Sequence, residues 1–237
     1  MSDKKLLNLE DLALCSEDHF VILDTCTLMS PIGVDIYNLN EGRVKDKRYT
    51  FLKNKIFLEE LNKHIKEGKN FNVTDLVLEE FECMNRDFYK DFTRLKGYFD
   101  REIIRLKRAI KDREKEKKDL IITLRKNDKV LKIKDKAEGI YYHYFLDKYE
   151  NLFNFHDLSK ADSDFLLTGA SLAEAKNKVI LVSNDGGIFR AREDFLKLEN
   201  VDKDNLKFFN RKDFFKFKER SSKNYKSKQL SSNYQRI

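Results

Sequence analysis

Apolar and polar positions along the chain fall into two alternating rhythms. Short apolar runs stand at 20–24 (FVILD), 70–73 (NFNV), 178–183 (KVILVS) and 206–209 (LKFF), and each reads as a buried strand. Between them the spacing changes to the helical one. Residues 49–66 place Phe51, Leu52, Phe57, Leu58, Leu61 and Ile65 near a 3.6-residue period, and Glu67-Gly68-Lys69-Asn70 stops that helix. Thr74 is a good N-cap for a helix whose apolar face is Leu76, Val77 and Phe81, with Asp75 in the first turn. Ser159 opens another helix, with Asp162 at the capping-box position. Strands alternating with helices predict an α/β domain built on a parallel sheet covered on both sides.

Residues 84–126 break the alternation. They hold no proline, and only Gly97 interrupts them; Phe88, Phe92, Leu95, Phe99, Ile103, Leu106, Ile110, Leu120 and Leu124 form a narrow apolar stripe among charges. The pattern predicts a long helix, and a second, tyrosine-rich helix over 137–150 is expected to close against it. The reading is therefore one domain over 1–215 with a projecting helical insertion at 84–150. A basic tail at 216–237 follows, without a core-forming pattern.

Composition sharpens this division. The chain is 38% charged, well above the usual quarter, yet 41% hydrophobic, so its charge must be concentrated. Segment 86–136 holds nineteen Lys/Arg against ten acids and the tail seven against one; with a total of only +7, the remainder is net negative. Basic accessories on an acidic body suit a polyanionic ligand brought to a carboxylate-rich site. Solvated charge is the plainer alternative. No apolar window predicts a membrane span, and the N-terminal segment has no signal-peptide core, so a cytoplasmic location without membrane contact is expected. Cys15, Cys26 and Cys83 show no metal-ligand rhythm and read as reduced thiols.

The acids at the element ends carry the chemistry. Asp24 ends the first strand, and Glu79 and Glu80 lie in the helix after the second. Asp162 and Asp164 open the helix before the third strand, and Asp185 follows that strand. In a parallel sheet these ends gather on one edge, where ligands of open α/β proteins bind. Carboxylates so close repel one another unless a cation lies between them. Oxygen-only ligation selects Mg²⁺ or Mn²⁺, and such sites handle phosphates by activating water and neutralising charge on the phosphodiester. No histidine stands where it would act as general base, and no GxxxxGK[ST] loop indicates ATP use.

In that order, FVILDTCTL, TDLVLEEF, LSKADSDFLLTGASLA and VILVSNDGGIF resemble the four signature segments of PIN domains, over about residues 19–83 and 155–210. The resemblance implies a three-layer α/β/α sandwich with a short parallel sheet and a metal-dependent endoribonuclease. It implies Asp24 as the first metal acid with Thr25 hydrogen-bonded within the site. Glu80 is preferred to Glu79 as the second acid, Asp162 and Asp164 are both candidates for the third, and Asp185 is the fourth, with Ser183 and Asn184 as polar companions. Asp162 as a capping residue alone is the alternative. RNA is the implied partner, an antitoxin-like protein and a homodimer are further candidates because many members are toxins of toxin–antitoxin pairs, and Mg²⁺ or Mn²⁺ is the implied cofactor. Arg101, Arg105, Lys107, Arg108 and Lys111, within a run that continues through Lys118, are the expected phosphate contacts; the aromatics of the insertion either stack on bases or pack its helices together. The alternatives are an inactive PIN module that binds RNA or protein, a DNA or flap nuclease, and a haloacid-dehalogenase-type phosphatase. The last needs an acid where Cys26 stands.

Overall fold

The computed structural model describes residues 9–29, 44–84, 101–135, 139–198 and 200–210. Their elements run α1 (Leu9–Cys15), β1 (Phe20–Leu23), α2 (Thr25–Met29), α3 (Val44–Lys66), β2 (Phe71–Thr74), α4 (Asp75–Cys83), α5 (Arg101–Lys126), β3 (Val130–Leu131), a 3₁₀ turn (Ile133–Asp135), α6 (Gly139–Phe155), α7 (Lys160–Glu174), β4 (Val179–Ser183), α8 (Gly186–Lys197) and β5 (Leu206–Asn210). The five strands form one all-parallel sheet in the order β3-β2-β1-β4-β5. The protein is thus an α/β protein, and among the described residues no helix is long and apolar enough to cross a membrane.

Burial follows from the sequence of each strand. All of β2 and β4 and the last three residues of β1 are buried. Because successive side chains point to opposite faces, both faces of these strands are covered. The polar members are satisfied locally: Asn72 donates to the Asn70 carbonyl at 2.8 Å, and Thr74 caps α4 by accepting from the Val77 amide at 3.3 Å. Two glycines shape the frame. Gly68 takes φ 86° to end α3, a conformation that side chains avoid. Gly169 lets α7 lie directly on β4, since a Cβ there would come within 2.8 Å of the Leu181 methyls.

The sheet has one reversal of direction. From β1 the chain steps outward to β2 and β3, then returns past β1 to β4 and β5. β1 and β4 are hydrogen-bonded neighbours in register from Phe20↔Val179 to Leu23↔Val182. Their C-terminal ends therefore flank the switch point, the usual ligand crevice of such sheets.

The described part of the predicted insertion does not stand apart from this body. Leu106, Ala109, Ile110, Leu120 and Leu124 of α5 belong to the main core and pack on α3. β3 extends the sheet beside β2, pairing Val73 with Val130. Among the described residues α6 packs mainly on α7 rather than on α5, and it buries Tyr142, Phe145, Tyr149 and Phe153. Two of its four tyrosines are therefore packing residues, while Tyr141 and Tyr144 remain exposed. Phe88, Tyr89, Phe92, Leu95, Tyr98 and Phe99, like the tail at 216–237, lie outside the described residues.

Candidate metal centre

Asp24 leaves β1 directly into α2 and is only 2% exposed. Its carboxylate caps that short helix: Oδ1 accepts from the Thr27 amide at 2.6 Å, and Oδ2 accepts from the Ser183 hydroxyl at the end of β4. The Asp24 amide donates to the Val182 carbonyl, which ties β1 to β4 at this level. Burial nevertheless dominates, pushing the carboxyl from 3.8 up to about 7 against the lowering effect of those hydrogen bonds; Asp162 adds repulsion.

Glu80 reaches the same edge from α4. Its Oε2 accepts from Thr25 Oγ1 at 2.5 Å, whereas Glu79, one helical step away, is exposed. Burial raises the Glu80 carboxyl, the Thr25 bond lowers it, and Asp162 and Asp185 raise it further. Asp162 is half-buried at the start of α7 and closes a capping box with Ser159, each side chain bonding the other's amide at 3.1 Å. Capping and site membership coexist here: burial raises its carboxyl, the Ser159 bonds lower it, and Asp185 raises it. Asp185 caps α8 through Oδ1, which accepts from Gly187 at 2.5 Å and Ile188 at 3.2 Å. Its own amide donates to Ser183 Oγ at 2.9 Å, so one hydroxyl bridges Asp24 and Asp185. Asn184 is half-buried between them in sequence.

Asp164 belongs elsewhere. It is buried on another face of α7, accepting from Tyr142 at 2.7 Å with the Lys134 ammonium 3.2 Å away. The expectation that Asp162 and Asp164 both contribute fails for a geometric reason: two residues apart on a helix means about 200° of rotation. Asp164 anchors α6 and the 3₁₀ turn to α7.

Three residues at this edge carried no sequence signal of their own. Cys26, in the first turn of α2, points its thiol at Asp185 Oδ2 across 3.8 Å. Burial and then the charges of Asp24, Asp185, Asp162 and Glu80 push that thiol up, so it stands amid all four acids. A cleft of about 460 Å³ opens beside them, with Asp162 and Asp185 in its wall together with His156 and Arg190. The sequence places no histidine as general base; His156 lines this cleft, but its Nε2 faces Asp194 Oδ2 at 3.1 Å.

Among the described residues no three ligating side chains stand close enough to hold one ion as they are. Each carboxylate is instead held by hydroxyls and amides, and burial above all, with mutual repulsion added, raises the carboxyls of Asp24, Glu80 and Asp162. The donor set fits a hard divalent ion: oxygen donors from four elements and no imidazole hydrogen-bonded to them.

On α5, Arg101, Arg105, Arg108 and Lys111 are exposed and Lys107 is half-buried. Arg113 and Lys117 are instead buried, against the expectation that this whole run faces phosphate. Arg113 Nε donates to Asn54 at 2.7 Å. Lys117 lies 4.7 Å from the centre of the Phe81 ring, and burial lowers it to about 8. Compared with known proteins, the chain matches no family model, no curated protein and no solved structure.

Proposed function

We propose that the protein is a metal-dependent endoribonuclease of PIN type, an α/β/α sandwich that hydrolyses RNA phosphodiesters with Mg²⁺ or Mn²⁺ held by Asp24, Glu80, Asp162 and Asp185. One observation carries the reading. The chain has 48 Lys and Arg, yet among the described residues none forms an ion pair with any of these four carboxylates, while the neighbouring Asp164 has Lys134. Structural acids are ordinarily neutralised by a nearby base. Four acids at a sheet switch point, hydrogen-bonded but uncompensated, suit a bound cation.

When bound, the metal would supply an activated water and neutralise charge developing on the phosphodiester. The protein's own part is positional. Thr27 and Ser183 hold Asp24, Thr25 holds Glu80, Ser159 holds Asp162, and the Gly187 and Ile188 amides hold Asp185, each by donating hydrogen bonds that fix the carboxylate's orientation. The exposed cations of α5 would hold the polyanion by its phosphates. The sequence-level likeness to PIN domains, through Asp24, Glu80, Asp162 and Asp185, adds support. RNA is accordingly the partner proposed.

Incubation of the full chain with generic single-stranded RNA and Mn²⁺ tests this. Cleavage should stop with EDTA and with Asp24→Asn, while RNA binding persists. Cleavage by Asp24→Asn at the wild-type rate overturns the assignment. RNA binding without cleavage under any divalent ion would instead support a non-catalytic module.

A further inference from the structure

The cleft beside the acids is built from two helix starts: His156, Asp157, Leu158 and Ser159 lead into Asp162 of α7, and Asp185, Gly186 and Gly187 lead into Arg190 of α8. Its amides are already used. Asp185 takes those of Gly187 and Ile188, and Ser159 takes that of Asp162. The helix ends themselves therefore offer little to a ligand. What remains is the Arg190 guanidinium. It curls back over the first turn of α8: a Cβ on Gly186 would lie 3.6 Å from one terminal nitrogen, and a Cβ on Gly187 would lie 3.9 Å from the other. The same Gly187 position lies 2.8 Å from Asp185 Oδ1, so guanidinium and carboxylate approach one point without forming an ion pair.

This placement is electrostatically unsatisfied. A cation over the N-terminal turn of a helix meets the positive end of the dipole, and among the described residues it forms no ion pair, although Asp157, Asp162 and Asp185 line the same cleft. An anion seated over that turn would satisfy both. His156 lines the same wall, with its ring held at Nε2 by Asp194. The volume falls within the ~300–1,000 Å³ usual for small-molecule sites, enough for a nucleotide. Arginine is the residue suited to forked recognition of a phosphate.

We propose that Arg190 binds a phosphate of the nucleic acid strand beside Asp162 and Asp185, fixing which bond is presented to the four acids. The identity of the strand rests on the ribonuclease reading; the phosphate site itself rests on the cleft. Both a phosphomonoester at a strand end and an internal phosphodiester have the required chemistry.

Calorimetric titration of the full chain in EDTA, with uridine 5′-monophosphate, the dinucleotide UpU and plain uridine, separates these. Uridine monophosphate, UpU or both should bind at least tenfold more tightly than uridine. That advantage should fall about tenfold in Arg190→Gln and be partly kept in Arg190→Lys. Preference for the monophosphate assigns a strand end, and comparable binding of UpU assigns an internal phosphate. Equal affinity for uridine and its monophosphate, or an undiminished advantage in Arg190→Gln, overturns the proposal. Because Arg190 is exposed, its replacement leaves the fold intact, which thermal melting checks. The readout needs neither metal nor cleavage, so it stands whether or not Asp24→Asn abolishes hydrolysis.

Discussion

Replacing Asp24 by Asn in the metal-free protein should change how stability depends on pH. Burial raises this carboxyl from 3.8 to about 7 in the folded state. Between those values the folded protein holds a proton that the unfolded chain has released. Folding stability is therefore present at low pH and lost as pH climbs from about 4 to 7. A displacement of roughly three units at ~1.36 kcal/mol each puts the loss on the order of 4 kcal/mol. Asparagine has nothing to titrate. Its carbonyl can still accept from Thr27, and the weakened bond from Ser183 costs about 1 kcal/mol, more where Asp24 would be ionised. Glu80 and Asp162, also raised, leave the variant a residual slope of the same sign. Denaturant unfolding in EDTA at pH 5 and pH 8 should show wild type losing markedly more stability than Asp24→Asn across the interval. At ~2–4 °C per kcal/mol for a chain of this size, the gap is easily read by melting as well. Identical pH slopes for the two proteins would refute the argument that burial governs Asp24.

Asp164→Asn should weaken the Tyr142 and Lys134 contacts, lowering stability by about 1–3 kcal/mol in chemical denaturation while retaining RNA cleavage; Asp162→Asn should do the reverse. Charge reversal at Arg108 and Lys111 together should weaken RNA binding and flatten its dependence on salt, measured by anisotropy from 50 to 200 mM salt, whereas unchanged salt slopes would remove α5 from the interface.

The central strands were legible because a strand buried on both faces must be a continuous apolar run, and β1 and β4 are such runs. β3 was not, since two residues held only by pairing with Val73 and Thr74 leave no local pattern. α5 showed its helical stripe but not its surroundings: Arg113 and Lys117 look like any solvated charge in sequence, and only contact with α3 and α4 reveals them as buried. α8 was hidden because its first turn is Gly186-Gly187, residues that disfavour helix, although Asp185 caps a twelve-residue helix there. At the site, the resemblance to PIN segments preferred Glu80 to Glu79, and Glu80 reaches Thr25 while Glu79, one helical step away, is exposed. The choice between Asp162 and Asp164 required knowing which face of α7 meets the sheet edge, and His156 and Arg190 required the cleft.

The contrast between Asp164 and its four neighbours bears on why this protein tolerates such an arrangement at all. Asp164 is as buried as Asp24, yet Tyr142 and Lys134 stabilise its charge, and the result is an anchor. Asp24 receives only neutral donors, from Ser183 and Thr27, which fix its orientation without compensating its charge. A lysine at either of those positions would relieve the metal-free protein and occupy the space a cation needs. Leaving the charge uncompensated keeps the folded state less stable at neutral pH, and gives any divalent ion that binds there a differential affinity for the folded chain. Mg²⁺ or Mn²⁺ should therefore raise the melting temperature of wild type more at pH 8 than at pH 5, and far less in Asp24→Asn. Equal metal-induced shifts in both proteins would mean that the ion sits elsewhere.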